Sequence, residues 1–288
     1  MAQFSNKRYS YGFLIPAGLI YFIMFLLPAV ISCFFSLTRW TFVDWEFIGF
    51  KNFEMFFTER SLNIGFKNTL VYAVSTCVGK TVLGLLLAVF LCSDIKTKSF
   101  LRSMVFFPVI ISTIAVGVTF QSMLNPTTGI INKGLELIGI QGPNWLGDKV
   151  LALYSVALVD IWKGVGMATV IYIAGITSIS KQYYEALYID GGSKLAAFWH
   201  ITLPLSKAAR NSVITLSFIG GLRSFDLIWT ITKGGPGFST DVISSIIYKQ
   251  YSAGFYGIST AGNVLLFLGV SLLAFPLYRI LSRNEVDL

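Results

Sequence analysis

The chain has 288 residues, of which 55% are hydrophobic and only 12% charged, with 22 Lys and Arg against 14 Asp and Glu. Soluble proteins carry roughly 25% charged residues, so this composition excludes a water-soluble domain, a disordered chain and a disulfide scaffold, and points to lipid as a second solvent. The formal charge of +8 is scattered between apolar stretches instead of gathered on one face, which argues against nucleic acid as a partner and leaves the charge as topological information.

Six apolar runs follow in chain order, at about 12–38, 66–92, 104–124, 150–176, 210–232 and 259–281. Each reaches the roughly 20 residues that a helix needs to cross a hydrocarbon core of about 30 Å. They do not alternate polar and apolar residues as the strands of a membrane barrel do, so the expected fold class is all-α integral membrane, with six transmembrane helices in one domain covering 1–288. Pro16 and Pro28 lie inside the first run and predict kinks there. Lys7 and Arg8 ahead of it resemble the start of a signal peptide, but the run is about twice a signal's apolar length and five more runs follow. Lys and Arg are denser in 1–11, 93–103, 177–209 and 282–288 than in the alternate loops 39–65, 125–149 and 233–258. The bias places both termini in the cytoplasm of a multi-pass protein of the cell membrane. Cys33, Cys77 and Cys92 sit in or beside apolar runs and give no disulfide framework, and His200 is the sole histidine, so no multi-histidine metal site is expected.

The 177–209 segment is the largest cytoplasmic feature on this topology. It predicts a short amphipathic helix, a break at Gly191-Gly192, and a second helical stretch ending near Pro204. Tyr184, Leu187 and Tyr188 fall at i, i+3 and i+4 and form one apolar face. Spacing alone leaves two readings open: a helix that docks in a groove on a soluble partner, or one that lies on the bilayer.

The residues themselves add more. Glu185-Ala186, then Asp190-Gly191, followed by Phe198, Ile201, Leu203 and Pro204, resemble the EAA loop of ATP-binding-cassette importer permeases. Leu187 and Gly192 stand where alanine is usual, and the second of these predicts a looser turn. Further matches in order are Leu14-Ile15-Pro16-Ala17, Gly49-Phe50-Lys51-Asn52-Phe53, Asn68-Thr69, Asn125-Pro126, Trp145-Leu146-Gly147-Asp148 and Thr232-Lys233-Gly234-Gly235-Pro236. Together they are similar to the sugar-importer branch typified by the maltose permease subunits. The resemblance implies a type I ABC importer permease fold, and ATPase coupling through Tyr184, Glu185, Ala186, Leu187, Tyr188, Asp190, Gly191 and Gly192. It implies alternating access for a carbohydrate, with an oligosaccharide expected and a polyol or glycerol phosphate ester as alternatives. The partners it implies are a second, related permease subunit, two cytoplasmic ATP-binding-cassette subunits, an extracellular or periplasmic sugar-binding protein, and membrane lipid. This chain would bind no cofactor; ATP and Mg would sit on the ATPase subunits, since the chain has no glycine-rich loop ending in Gly-Lys-Ser/Thr outside a span.

Lys80, Asp160, Lys163, Arg223 and Asp226 fall inside the runs. Near the bilayer centre each costs roughly 2.5–3.5 kcal/mol, so they should pair or line a wet cavity. Asp160 and Lys163 are three apart, as are Arg223 and Asp226, which predicts a shared helix face for each pair. Two readings follow, local salt bridges or a polar patch on a translocation path. The resemblance implies substrate binding by Asp160, Trp162, Lys163, Gly164, Arg223 and Ser224, and the polar-patch reading adds Asp226 beside Arg223. Lys80 has no obvious partner and is expected to reach toward water near another subunit. An ion-driven secondary transporter using Asp160 and Asp226 as carriers is the rival reading.

Overall fold

The computed structural model describes residues 11–41 and 43–283. Lys7 and Arg8, on which the cytoplasmic N-terminus partly rests, lie outside the described residues. Four helices are long and apolar enough to cross a bilayer: Gly12–Phe35 (first span), Arg60–Cys92 (second), Leu151–Thr177 (fourth) and Tyr256–Ser282 (sixth). Two bent pairs complete the expected set. Lys98–Ile110 and Thr113–Met123 meet at 95° in the third span, and Lys207–Leu222 and Asp226–Thr232 meet at 47° in the fifth. The third and fifth runs are therefore each two helices.

The packing falls into two compact units. The first comprises residues up to Phe56 together with Ile247–Leu265. Its first span is almost wholly exposed within the chain, as a lipid- or partner-facing helix must be. A π-helical turn over Phe22–Leu26 precedes Pro28 there. The wider turn moves carbonyls away from the proline ring, which would otherwise clash with the residue four before it. A short antiparallel hairpin follows, Thr38–Trp40 (β1) with Trp45–Phe47 (β2), and Arg39 pairs with Glu46 across it. Asn52, buried in the Lys51–Thr58 helix, donates to the carbonyls of Ser36 and Thr38 at 2.8 Å each. The asparagine of the Gly-Phe-Lys-Asn-Phe sequence is thus a clamp for the preceding chain.

The second unit, Phe57–Ile246 with the remainder of the sixth span, holds the core. Small residues let the second, fourth and fifth spans approach closely: a methyl on Gly84 would sit 2.8 Å from the Ala168 Cβ, and one on Gly221 would sit 2.6 Å from the Ala73 Cα. One apolar cluster gathers Tyr72, Val116, Val156, Leu227 and Ile228; another gathers Ala88, Ala168, Tyr172, Ala209 and Val213. The loops at the far ends of the spans are stapled by amides. Asn68 donates to the carbonyls of Phe238, Ser239 and Asp241, at 3.4, 3.0 and 2.9 Å. Asn132 donates to the Pro126 and Pro143 carbonyls and accepts from the Trp145 indole at 2.6 Å. Each bond donated by an amide satisfies a backbone carbonyl that would otherwise be lost from water.

Asp148 opens the fourth span by accepting from the backbone N–H of Val150 and Leu151, both at 2.8 Å. These two donors favour the charged form, so the Asp148 carboxyl is held below the usual carboxylate range.

Candidate functional site

Two places carry the chemistry that the sequence singles out, and they are built differently. The first lies in the spans, near position 160. Asp160 does not pair with Lys163. Its Oδ2 accepts from Lys80 Nζ of the second span at 2.9 Å, with both side chains largely buried. The expectation that Lys80 reaches toward water is overturned: a cation unpaired in the bilayer is too costly to leave when a carboxylate on the packed neighbour is within reach. Gly164 makes the pair possible, because a methyl there would meet Lys80 Cε at 2.6 Å. Tyr72 is fully buried, and its hydroxyl lies toward Asp160 and Ser224 without closing a hydrogen bond to either.

Arg223 and Asp226 do not form an ion pair among the described residues either, and the shared helix face expected of them is absent. The fifth span breaks between them: Arg223 caps the Lys207–Leu222 helix, Phe225 leaves helical geometry at φ −138° and ψ −57°, and Asp226 starts the next helix. Residues three apart share a face only while the helix is continuous. Arg223 and Asp226 are exposed within the chain, Ser224 and Lys163 are half-buried, and Trp162 is 43% exposed with its ring 5.1 Å from Phe120. The arrangement is a neutralised buried pair, Lys80 with Asp160, with Trp162 and Lys163 on the same span as Asp160, and Arg223 and Asp226 at the break of the fifth span less buried than that pair. These side chains are of the types that offer hydrogen bonds and an aromatic face to a polyhydroxylated ligand, and the buried pair fixes the fourth span against the second. Lys80 and Tyr72 are the members that sequence reasoning missed.

The second place is the 177–209 segment. Lys181–Ile189 is a helix, closed by Gly191 at φ +79°. The Gly192 N–H bonds the Leu187 carbonyl at 2.8 Å and the Gly191 N–H bonds Tyr188 at 3.1 Å. This is the paired closure of a left-handed glycine cap. The loosening expected of Gly192 does not occur, because a methyl there would lie 2.8 Å from the Leu187 carbonyl oxygen. Glycine lets this turn shut.

Ser193 then caps a second stretch through its Oγ, which accepts from Ala196 N–H at 3.2 Å. The stretch runs over 194–205, with a π-helical turn at Phe198–Thr202 ahead of Pro204, as in the first span. The Tyr184 hydroxyl and Thr202 Oγ1 share a hydrogen bond at 3.0 Å that ties the two helices into a hairpin.

The expected Tyr184–Leu187–Tyr188 face therefore divides. Tyr184, bonded to Thr202 of the second arm, and Leu187, beside the Gly192 turn, are half-buried, while Tyr188 is exposed. Glu185, Ala186 and Asp190 are exposed as well. The outward apolar surface comprises Tyr183, Tyr188, Ile189, Leu195 and Trp199, with Ile189 86% and Leu195 67% exposed. His200 is spoken for locally, its Nδ1 donating to the Ala196 carbonyl at 3.0 Å. Among the described residues no group of His, Cys, Asp and Glu could hold a metal ion.

A helical hairpin with protruding aliphatic residues, set between spans four and five of a helical membrane protein, is the arrangement the EAA resemblance implies. Comparison with known proteins decides the family. Residues 80–285 match the binding-protein-dependent transport system inner membrane component family. The chain belongs to that family.

Two relatives set the permease in context. It is 34% identical over 251 residues to the probable ABC transporter permease protein YurN of Bacillus subtilis, covering 85% of this chain and 86% of that one. It is 31% identical over 268 residues to the trehalose/maltose transport system permease protein MalF of Thermococcus litoralis, covering 92% and 91%. A crystal structure of a bacterial ABC transporter involved in import of the acidic polysaccharide alginate aligns with a TM-score of 0.84, covering 96% of each chain at 23% identity. That likeness shows the fold, a type I importer permease fold with bent spans. The permease is a multi-pass membrane component of a transport system, and its relatives are transporter components and not enzymes.

Proposed function

We propose that this permease moves an oligosaccharide inward across the cell membrane by alternating access, driven by ATP-binding-cassette subunits that dock on the 181–205 hairpin. The substrate class is supported by relatives named for trehalose and maltose, multiple sugars and arabinooligosaccharides. The coupling role is carried by one observation: Ile189 and Leu195 protrude from a hairpin that is already closed by its own hydrogen bonds. Apolar side chains held out in this way mark an interaction site, and their helical presentation suits a groove.

The assembly we infer contains a second, related permease subunit, two cytoplasmic ATPases that bind ATP and Mg, and an extracellular or periplasmic sugar-binding protein. A solved relative of the same fold is in complex with an alginate pentasaccharide-bound periplasmic protein. With the hairpin on the ATPase side, both termini are cytoplasmic, as the Lys and Arg distribution suggests.

In this reading Trp162, Lys163, Arg223, Ser224 and Asp226 line the sugar path. The bends at 111–112 and 223–225 are where the spans rearrange between inward- and outward-facing states. The Lys80–Asp160 ion pair gives Asp160 a place in the packing of the second and fourth spans, which favours the importer reading over an ion carrier.

The test is uptake in proteoliposomes containing the assembled transporter and its binding protein. Glu185→Lys and Gly191→Pro are expected to leave the chain inserted and to abolish ATPase stimulation by the loaded binding protein. Arg223→Ala is expected to raise the substrate concentration for half-maximal uptake about tenfold, the worth of one lost charged hydrogen bond, whereas the outer-loop change Lys133→Ala leaves it unaltered. Normal coupling in the first two variants would refute the docking role. Equal effects of Arg223→Ala and Lys133→Ala would refute the site in the fifth span.

A further inference from the structure

On the membrane face of the second unit, the fifth and sixth spans leave a long open groove. Its upper part, about 660 Å³, is lined by Thr215, Ile219, Leu268, Leu272 and Phe275. It continues past Phe275 and Tyr278 into a second hollow of about 890 Å³ lined by Arg279, Ser282 and Arg283. The two hollows share Phe275 and Tyr278, so an apolar trough ends at two guanidinium groups. Arg279 and Arg283 are exposed, and neither forms an ion pair among the described residues. The Ser282 hydroxyl beside them is buried without a hydrogen-bond partner.

The neighbouring helix adds positive potential at the same level. The Asn211 side chain donates to the Leu281 carbonyl at 2.8 Å, which sets the beginning of Lys207–Leu222 against the end of the sixth span. The N-terminal end of that helix, with Arg210 in its first turns, carries a positive dipole.

We infer that this groove binds one anionic phospholipid of the cytoplasmic leaflet, its phosphate between Arg279 and Arg283 and an acyl chain along Phe275, Leu272 and Leu268. Length supports this occupant. Leu268 to Arg279 is eleven helical steps, about 16 Å, close to half of the roughly 30 Å hydrocarbon core. With the arginines at the headgroup level, the apolar lining ends near the midplane, as a single-leaflet lipid requires. Charge complementarity selects the headgroup, since two guanidinium groups and a helix N-terminus favour a net negative phosphodiester over a zwitterion. The lining on the bilayer side is almost wholly apolar, which suits an acyl chain and offers a soluble anion nothing beyond the headgroup level.

The experiment is native mass spectrometry of the assembled transporter, extracted from vesicles of equal phosphatidylglycerol and phosphatidylcholine content and stripped stepwise with detergent. The wild-type complex should retain phosphatidylglycerol over phosphatidylcholine by about 30-fold, about fivefold for each arginine. Arg279→Gln with Arg283→Gln should erase the preference, whereas Arg279→Lys with Arg283→Lys should keep most of it. Leu272→Trp should reduce retention of both lipids by filling the trough, and Lys133→Gln in an outer loop should change nothing. An unchanged preference in the double glutamine variant would overturn the proposal. So would equal retention of soluble glycerol phosphate, which would make the site one for a free anion. A photo-crosslinker at Leu272 that captures a protein subunit in place of lipid would overturn it also.

Discussion

The contact between the second and fourth spans and the hairpin at 181–205 are both pairs of helices, yet they are held together in opposite ways. The seam between the spans is closed by groups far apart in sequence: Gly84 against Ala168, and Lys80 against Asp160. The hairpin is closed by groups within about twenty residues of one another: the glycine cap at 191–192, the Ser193 cap and the Tyr184–Thr202 bond. In the seam, the ion pair and the apolar contacts are both made inside the chain. In the hairpin, hydrogen bonding is satisfied inside while the large aliphatic residues are left outside. A segment closed by its own caps that still exposes Ile189 and Leu195 has the apolar surface that the proposed docking role requires.

Breaking the seam should have the largest effect. Lys80→Met leaves Asp160 largely buried without its partner, and should destabilise the chain by about 3 kcal/mol, read as a lower thermal midpoint in detergent. Lys80→Met combined with Asp160→Asn should restore most of that loss. A single variant as stable as the wild type would mean that the pair contributes nothing to the seam.

Changes on the hairpin should spare stability and remove coupling. Ile189→Asp with Leu195→Asp should cut stimulated ATP hydrolysis about 30-fold, the scale of two interface anchors, with the thermal midpoint unmoved. A fall in midpoint without loss of coupling would reverse the contrast between the two regions. A smaller effect is expected from Gly192→Val, which forces a side chain against the Leu187 carbonyl. It should weaken ATPase co-purification several-fold less than the double aspartate change, and Gly192→Ala should lie between it and the wild type.

The smallest effect concerns Asp148 at the start of the fourth span. Its folded-state pKa is depressed, so its cap is fully present at neutral pH and is lost as pH falls through the folded value. The difference in thermal midpoint between wild type and Asp148→Ala should be constant from pH 8 to pH 5, and should narrow only below about pH 4.

The sequence made the number and position of the spans legible because hydropathy over 20 residues is a strong signal. It made the hairpin legible because caps and breaks are local: Gly191, Ser193 and Pro204 are each within a few residues of what they terminate. The bend at 223–225 was illegible, since no proline marks it and the run remains apolar through Ile219-Gly220-Gly221-Leu222. Arg223 and Asp226 were therefore placed on a face that does not exist. The Lys80–Asp160 pair was illegible for another reason: eighty residues separate its members, and only the packing of spans two and four brings them together. The division of the hairpin's apolar residues into inward and outward sets followed the same rule. Helical spacing groups Tyr184 with Leu187 and Tyr188, but only the closed turn and the returning arm determine which of them are covered.

The central claim is that Ile189 and Leu195 meet a nucleotide-hydrolysing subunit. A photo-crosslinker carried at Ile189 through Ile189→Cys, in the complete transporter reconstituted in a bilayer, tests it directly. The account predicts that the adduct joins the permease to an ATPase subunit, and that Leu195→Asp in the same chain diminishes it. Adducts confined to lipid, unaffected by Leu195→Asp, would contradict it.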